Sequence, residues 1–132
     1  MSVLADGSLV GVELGAGQIT CYSISPATAV ATLLDTFSIT GGWSDRMFAV
    51  DESSDVFYIA TTAPNLYTLD LSTSALQSTQ AITGTSQIDA MSVLAAGSLI
   101  GVDLGTGQIT SYSIKPATGV ATLLDTSCLS SG

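Results

Sequence analysis

The segment Met1–Thr36 returns almost unchanged as Met91–Thr126, at an offset of ninety residues. The copies differ only at Asp6/Ala96, Val10/Ile100, Glu13/Asp103, Ala16/Thr106, Cys21/Ser111, Ser25/Lys115 and Ala29/Gly119, mostly conservative exchanges. A chain that writes the same local pattern twice is expected to fold as stacked units. In such architectures each unit buries its apolar surface against its neighbours, so the number of units matters more than total length.

The intervening stretch falls on the same grid. Tyr22, Tyr67 and Tyr112 are spaced forty-five residues apart, as are Thr28, Thr73 and Thr118, and Met1, Met47 and Met91 mark nearly the same phase. The unit is therefore about forty-five residues, and the ninety-residue offset contains two of them.

Each unit reads as short strands. In the first, Ser2-Val3-Leu4, Leu9-Val10-Gly11-Val12, Gln18–Ile24 and Val30–Leu34 are β-branched or aromatic runs. They are punctuated by Asp6-Gly7, Gly15-Ala16-Gly17 and Ser25-Pro26-Ala27-Thr28, which supply the turns of an antiparallel meander. In the middle unit Met47–Val50, Val56–Ile59 and Leu66–Leu69 repeat the pattern, followed by Leu71–Ser74 and a weaker strand near 75–82. Glycine or proline recurs too often for helices of ordinary length. Four strands in roughly 40 to 45 residues predict a β-propeller blade. The expected fold is thus all-β, with three four-stranded antiparallel meanders equivalent to half of a six-bladed ring. A β-solenoid and an open sandwich are the alternatives. The units are expected at about 1–36, 46–83 and 91–126.

The runs Leu66-Tyr67-Thr68-Leu69-Asp70-Leu71-Ser72-Thr73 and Tyr112–Leu123 resemble the LYxIDPxTGxxTxI blades of NHL-like and YVTN-like propellers. The resemblance implies strands and turns and carries no catalytic residue. Neither the Trp-Asp ending of WD repeats nor the paired-glycine signature of Kelch blades is present.

Propeller rings use about four to eight blades, so three would leave two apolar faces open. An open face of several hundred Å² corresponds to on the order of 10 kcal/mol of unrealised burial. The expectation is head-to-tail association of the chain with itself, with two copies closing a six-bladed ring or many forming a filament. Residues 127–132 correspond to the lead-in that follows Thr36, and are expected to complete the first blade of a neighbouring chain. A longer array of which this chain is one portion is the other way to cover the faces.

Two Lys/Arg against eleven Asp/Glu give a net charge of −9. Nucleic acid and anionic lipid are excluded as partners, because both need clustered cations and Arg46 and Lys115 stand alone. No apolar run approaches the roughly 18 residues of a membrane helix, and the start lacks the basic region of a secretory signal. The compartment is left undetermined, an extracellular one included. Cys21 is replaced by Ser111 in its own repeat, so it and Cys128 read as incidental thiols, with a bridge through Cys128 as the alternative.

The chain has no histidine, which removes the usual general base and the commonest zinc ligand. No cofactor is expected and no catalytic residue is assigned. Asp45 and Asp89 precede the innermost strands and, with Arg46, are candidates for binding a cation or polar ligand at the channel mouth; loop hydrogen bonding is the plainer role. Trp43 is a candidate for carbohydrate stacking, an interface anchor or core packing. Asp51–Asp55 alternates oxygen side chains but lacks the glycine and distant glutamate of a calcium loop, and reads as a solvated hairpin turn. The leading expectation is a non-enzymatic, self-associating scaffold. A lectin-like glycan or small-molecule binder comes second, and a propeller hydrolase or lyase third.

Overall fold

A computed structural model describes residues 2–3, 9–15, 17–43, 47–85, 87–94, 98–105 and 107–128. The chain is all-β, with three four-stranded antiparallel sheets in sequence order. The first contains β1 (Ser2–Val3), β2 (Leu9–Gly15), β3 (Gln18–Ile24) and β4 (Ala31–Ser38). The second contains β5 (Phe48–Asp51), β6 (Val56–Ala60), β7 (Asn65–Asp70) and β8 (Ala75–Ala81). The third contains β9 (Ala90–Val93), β10 (Leu99–Gly105), β11 (Gln108–Lys115) and β12 (Val120–Cys128). Each is a meander in which every strand pairs with the next. No helix occurs among the described residues.

The hairpins follow from residues that accept a left-handed backbone. Gly15 pairs with Gln18 and Gly105 with Gln108, while Gly17 and Gly107 lie between them at φ 74° and 73°. The turn before each last strand also carries one left-handed residue at the same place on the grid: Ala29, Ser74 or Gly119, at φ 58°, 55° and 74°. A register shift follows in each sheet, at Cys21/Tyr22, Thr68/Leu69 and Ser111/Tyr112, bending the outer strand.

The sheets stack face to face, with the second in the middle. Its strands alternate burial toward two different neighbours. Phe57, Ile59, Tyr67 and Leu69 join Val10, Ile19 and Cys21 of the first sheet in one core. Tyr58, Ala60 and Leu66 join Leu99, Ile114 and Ala121 of the third sheet in the other. This two-sided burial covers β6 and β7 almost throughout, including the polar Thr68.

The two connections between sheets are built alike. Ile39-Thr40-Gly41 and Ile82-Thr83-Gly84 each bury the isoleucine and turn at the glycine, with φ 94° and 92°. Thr83 donates its amide to Gly119 O at 3.1 Å and accepts from Ala121 N at 2.8 Å, pinning the second connection to the third sheet.

The last strands run further than the sequence suggests. β4 continues past Thr36 to Ser38, and β12 past Thr126 to Cys128, where Ser127 pairs with Ile109 and Cys128 with Gln108. The first two residues of the expected tail are therefore occupied within their own sheet. The remaining four, 129–132, lie outside the described residues.

Candidate functional site

The near-identical first and third sheets bury opposite faces. In the first, Val10, Ile19 and Cys21 point to the second sheet, with Val12 and Leu14 packed beside them. Their counterparts in the third sheet, Ile100, Ile109 and Ser111 with Val102, are only half-buried, and Leu104 is exposed. The relation reverses on the other face. Leu99 and Ile114 are buried against the second sheet, whereas their counterparts Leu9 and Ile24 in the first are half-buried.

Alternation along the strands makes this reversal a matter of direction. The first sheet leaves open the face carrying Leu9, Gly11, Glu13, Tyr22 and Ile24. The third leaves open the face carrying Ile100, Val102, Leu104 and Ile109. On the first of these faces the Tyr22 hydroxyl donates to Glu13 Oε2 at 2.9 Å, a bond that raises the pKa of the phenol. The outer strands add Leu33, Leu34, Leu123 and Leu124, all exposed.

Among the residues singled out by sequence, Asp89 is fixed by its own sheet. Its Oδ2 accepts the amide of Leu104 at 2.7 Å, its Oδ1 accepts from Gln87 Nε2, and its own amide donates to Val102 O at 2.8 Å. Asp103 lies close by, its carboxyl pushed up by burial and then by the negative charge of Asp89. The pair has one member biased toward protonation and the other engaged at both oxygens. Asp45 and Arg46 lie outside the described residues.

Trp43 is half-buried, packs against the core between the first and second sheets, and donates Nε1 to Gly15 O at 3.1 Å. That geometry assigns it to the inter-sheet seam, with its polar edge satisfied. The Asp51 turn is likewise self-contained: Oδ1 accepts from Ser53 N at 3.1 Å and Ser53 Oγ at 2.6 Å. Among the described residues no group of three His, Cys, Asp or Glu side chains is placed to hold a metal ion.

No protein-family model matches the chain, and no curated protein matches it.

The reversed burial was hidden in the sequence, because both copies write the same apolar residues on both faces. Its only trace is the one-residue phase of alternation between, for example, Leu9 and Val10.

Proposed function

We propose that this chain is a self-associating β-propeller scaffold, non-enzymatic, in which the three sheets are blades and the chain joins others head to tail. The observation that carries the reading is the reciprocity of the two open faces. One copy of the repeated blade already shows each face in its packed state, so each open surface is of a kind that this protein buries elsewhere in itself. The faces differ, so the contact is heterologous and generates either a closed ring or a filament. Two chains joined through two such contacts make a six-bladed ring, within the usual range of about four to eight.

The chemistry supports association over catalysis. The exposed faces carry aliphatic side chains, and the Asp89 carboxylate is tied into local backbone bonding. The lectin-like reading has no open aromatic platform to stand on at Trp43, which packs inside a seam.

Light scattering and sedimentation of the purified chain at tens of micromolar, followed by electron microscopy, test the proposal. A mass of twice the chain with ring-shaped particles, or a growing filament, is the expected result. A compact monomer over the whole concentration range overturns it.

A further inference from the structure

The two seams between sheets are clasped by different bonds. At the first, Thr40 of the connection donates its amide to the Tyr67 hydroxyl at 2.8 Å. At the second, the equivalent Thr83 donates instead to Gly119 O at 3.1 Å and accepts from Ala121 N at 2.8 Å. Tyr112, the counterpart of Tyr67, takes no part in that backbone bridge.

The turn before the last strand decides between the two. The bridge brings backbone against backbone at Gly119, where a Cβ would collide with the carbonyl oxygen of Ala81 and come within 3.0 Å of Gln80 Cβ. At the first seam the same place is held by Ser74, left-handed at φ 55° and 7% exposed, so that seam accommodates a side chain. Glycine accompanies the bridge, and a side chain accompanies the tyrosine bond.

The open face of the first sheet carries the parts of the tyrosine bond. Ala29 puts a side chain at the left-handed place, with φ 58°, and a methyl fits where the larger Ser74 already fits. Ala29 is exposed, whereas Ser74 and Gly119, on sheets whose corresponding faces are covered, are both buried. Tyr22 is half-buried, and its hydroxyl donates to Glu13 Oε2. A phenolic oxygen that donates one bond can still accept another.

The complementary parts belong to the third sheet. Ile100, Val102 and Ile109 on its open face repeat Val10, Val12 and Ile19, which pack against the middle sheet at the first seam. Beyond β12 the sequence runs Leu129-Ser130, ninety residues from Ile39-Thr40. The likeness ends at Ser131, which stands in the place of Gly41.

We propose that the contact between chains copies the first seam and not the second: residues 129–130 of one copy lie against the first sheet of the next, and the Ser130 amide donates to the Tyr22 hydroxyl oxygen. The inference rests on the head-to-tail reading and adds the segment and the atom through which the contact is made. The Ala29 methyl excludes the bridge, and so keeps the first sheet of one copy off the middle sheet of another, the place that Gly119 fits the third sheet to occupy.

Sedimentation of the full chain over a range of concentrations tests it, with Tyr22→Phe, Tyr112→Phe and NMR hydrogen exchange at the Ser130 amide. Tyr22→Phe is expected to raise the dissociation constant between chains about five- to tenfold, the weight of one hydrogen bond, and to leave the circular dichroism of the separate chain unchanged. Tyr112→Phe is expected to leave that constant where it is. Exchange at Ser130 is expected to slow as wild-type chains associate, and to quicken in Tyr22→Phe at equal occupancy. Association with an unaltered constant in Tyr22→Phe, an equal loss in Tyr112→Phe, or an unprotected Ser130 amide in the wild-type assembly overturns the proposed clasp and leaves the head-to-tail reading standing. A wild-type chain that stays monomeric overturns both.

Discussion

The hydroxyl of Tyr67 accepts the backbone amide of Thr40 at 2.8 Å, tying the first connection to the middle sheet. Tyr22, at the same grid position, instead bonds the exposed Glu13. The same substitution therefore has two outcomes. Tyr67→Phe leaves a part-buried amide without its acceptor and is expected to cost about 1 to 3 kcal/mol in urea unfolding. Tyr22→Phe is expected to change stability by no more than about 0.5 kcal/mol, as surface substitutions do.

Ile19 and Ile109 separate folding from association. Ile19 is 0% exposed in the first core, while Ile109 lies half-buried on the open face of the third sheet. Ile19→Glu is expected to unfold the chain, because an unpaired charge in a core costs several kcal/mol. Ile109→Glu is expected to keep the native circular dichroism and to sediment as a monomer. Wild-type sedimentation by Ile109→Glu would count against the proposed contact.

Gly119 and Ala29 occupy the same left-handed turn position. At Gly119 a Cβ would collide with the carbonyl oxygen of Ala81 and approach Gln80 Cβ at 3.0 Å. Gly119→Ala is expected to lower stability by about 2 kcal/mol or more, combining backbone strain with a lost seam contact. Ala29→Gly relieves the strain at φ 58° and loses chain entropy, a net change within about 1 kcal/mol. Thermal unfolding of both variants checks the contrast.

The thiols are expected to react at very different rates. Cys21 is fully buried, and burial followed by the charge of Asp35 pushes its pKa up to about 11. Cys128 is exposed at the end of β12. A disulfide reagent at neutral pH is expected to modify one thiol promptly and the second only as the chain unfolds, with mass spectrometry placing the fast site at Cys128.

Asp103 and Asp70 are expected to give opposite pH signatures. Asp70 has a folded pKa below its ordinary 3.8, so its stabilisation is present above that value and lost as pH falls through the folded one. Asp103 is raised above 3.8, so its penalty grows as pH rises through its folded value. Asp103→Asn is expected to raise the thermal midpoint at pH 7 and to leave it unchanged near pH ~3, where the wild-type carboxyl is protonated. Asp70→Asn is expected to lower it at pH 7, with the difference shrinking toward the same acid limit. A uniform effect across pH for either variant would contradict the assigned cause.

Much of the strand pattern was legible in the residues. Runs such as Gln18–Ile24 and Val56–Ile59 are β-branched and aromatic, and Gly17 and Gly107 supply the left-handed backbone that their hairpins need. These signals are local, and a local signal survives in the sequence. The reach of β4 and β12 to Ser38 and Cys128 was not legible, because Asp35-Thr36 and Asp125-Thr126 resemble a turn until strand pairing holds them extended. Trp43 offered stacking, anchoring or packing; the carbonyl of Gly15 and the neighbouring core select packing.

By itself the sequence determined that this chain makes antiparallel meanders on a forty-five-residue grid, since alternation and turn chemistry act over a few residues. It could not determine which face of each copy would be covered. Ile19 and Ile109 are the same residue in nearly the same strand, and only the position of the middle sheet makes one a core residue and the other a surface one. The same neighbour explains why glycine stands at position 119, where the middle sheet's Ala81 and Gln80 press on the turn, while the exposed turn of the first sheet accepts Ala29. Burial is a property of what packs against a strand, and two copies of one sequence acquire different surroundings only when the sheets stack.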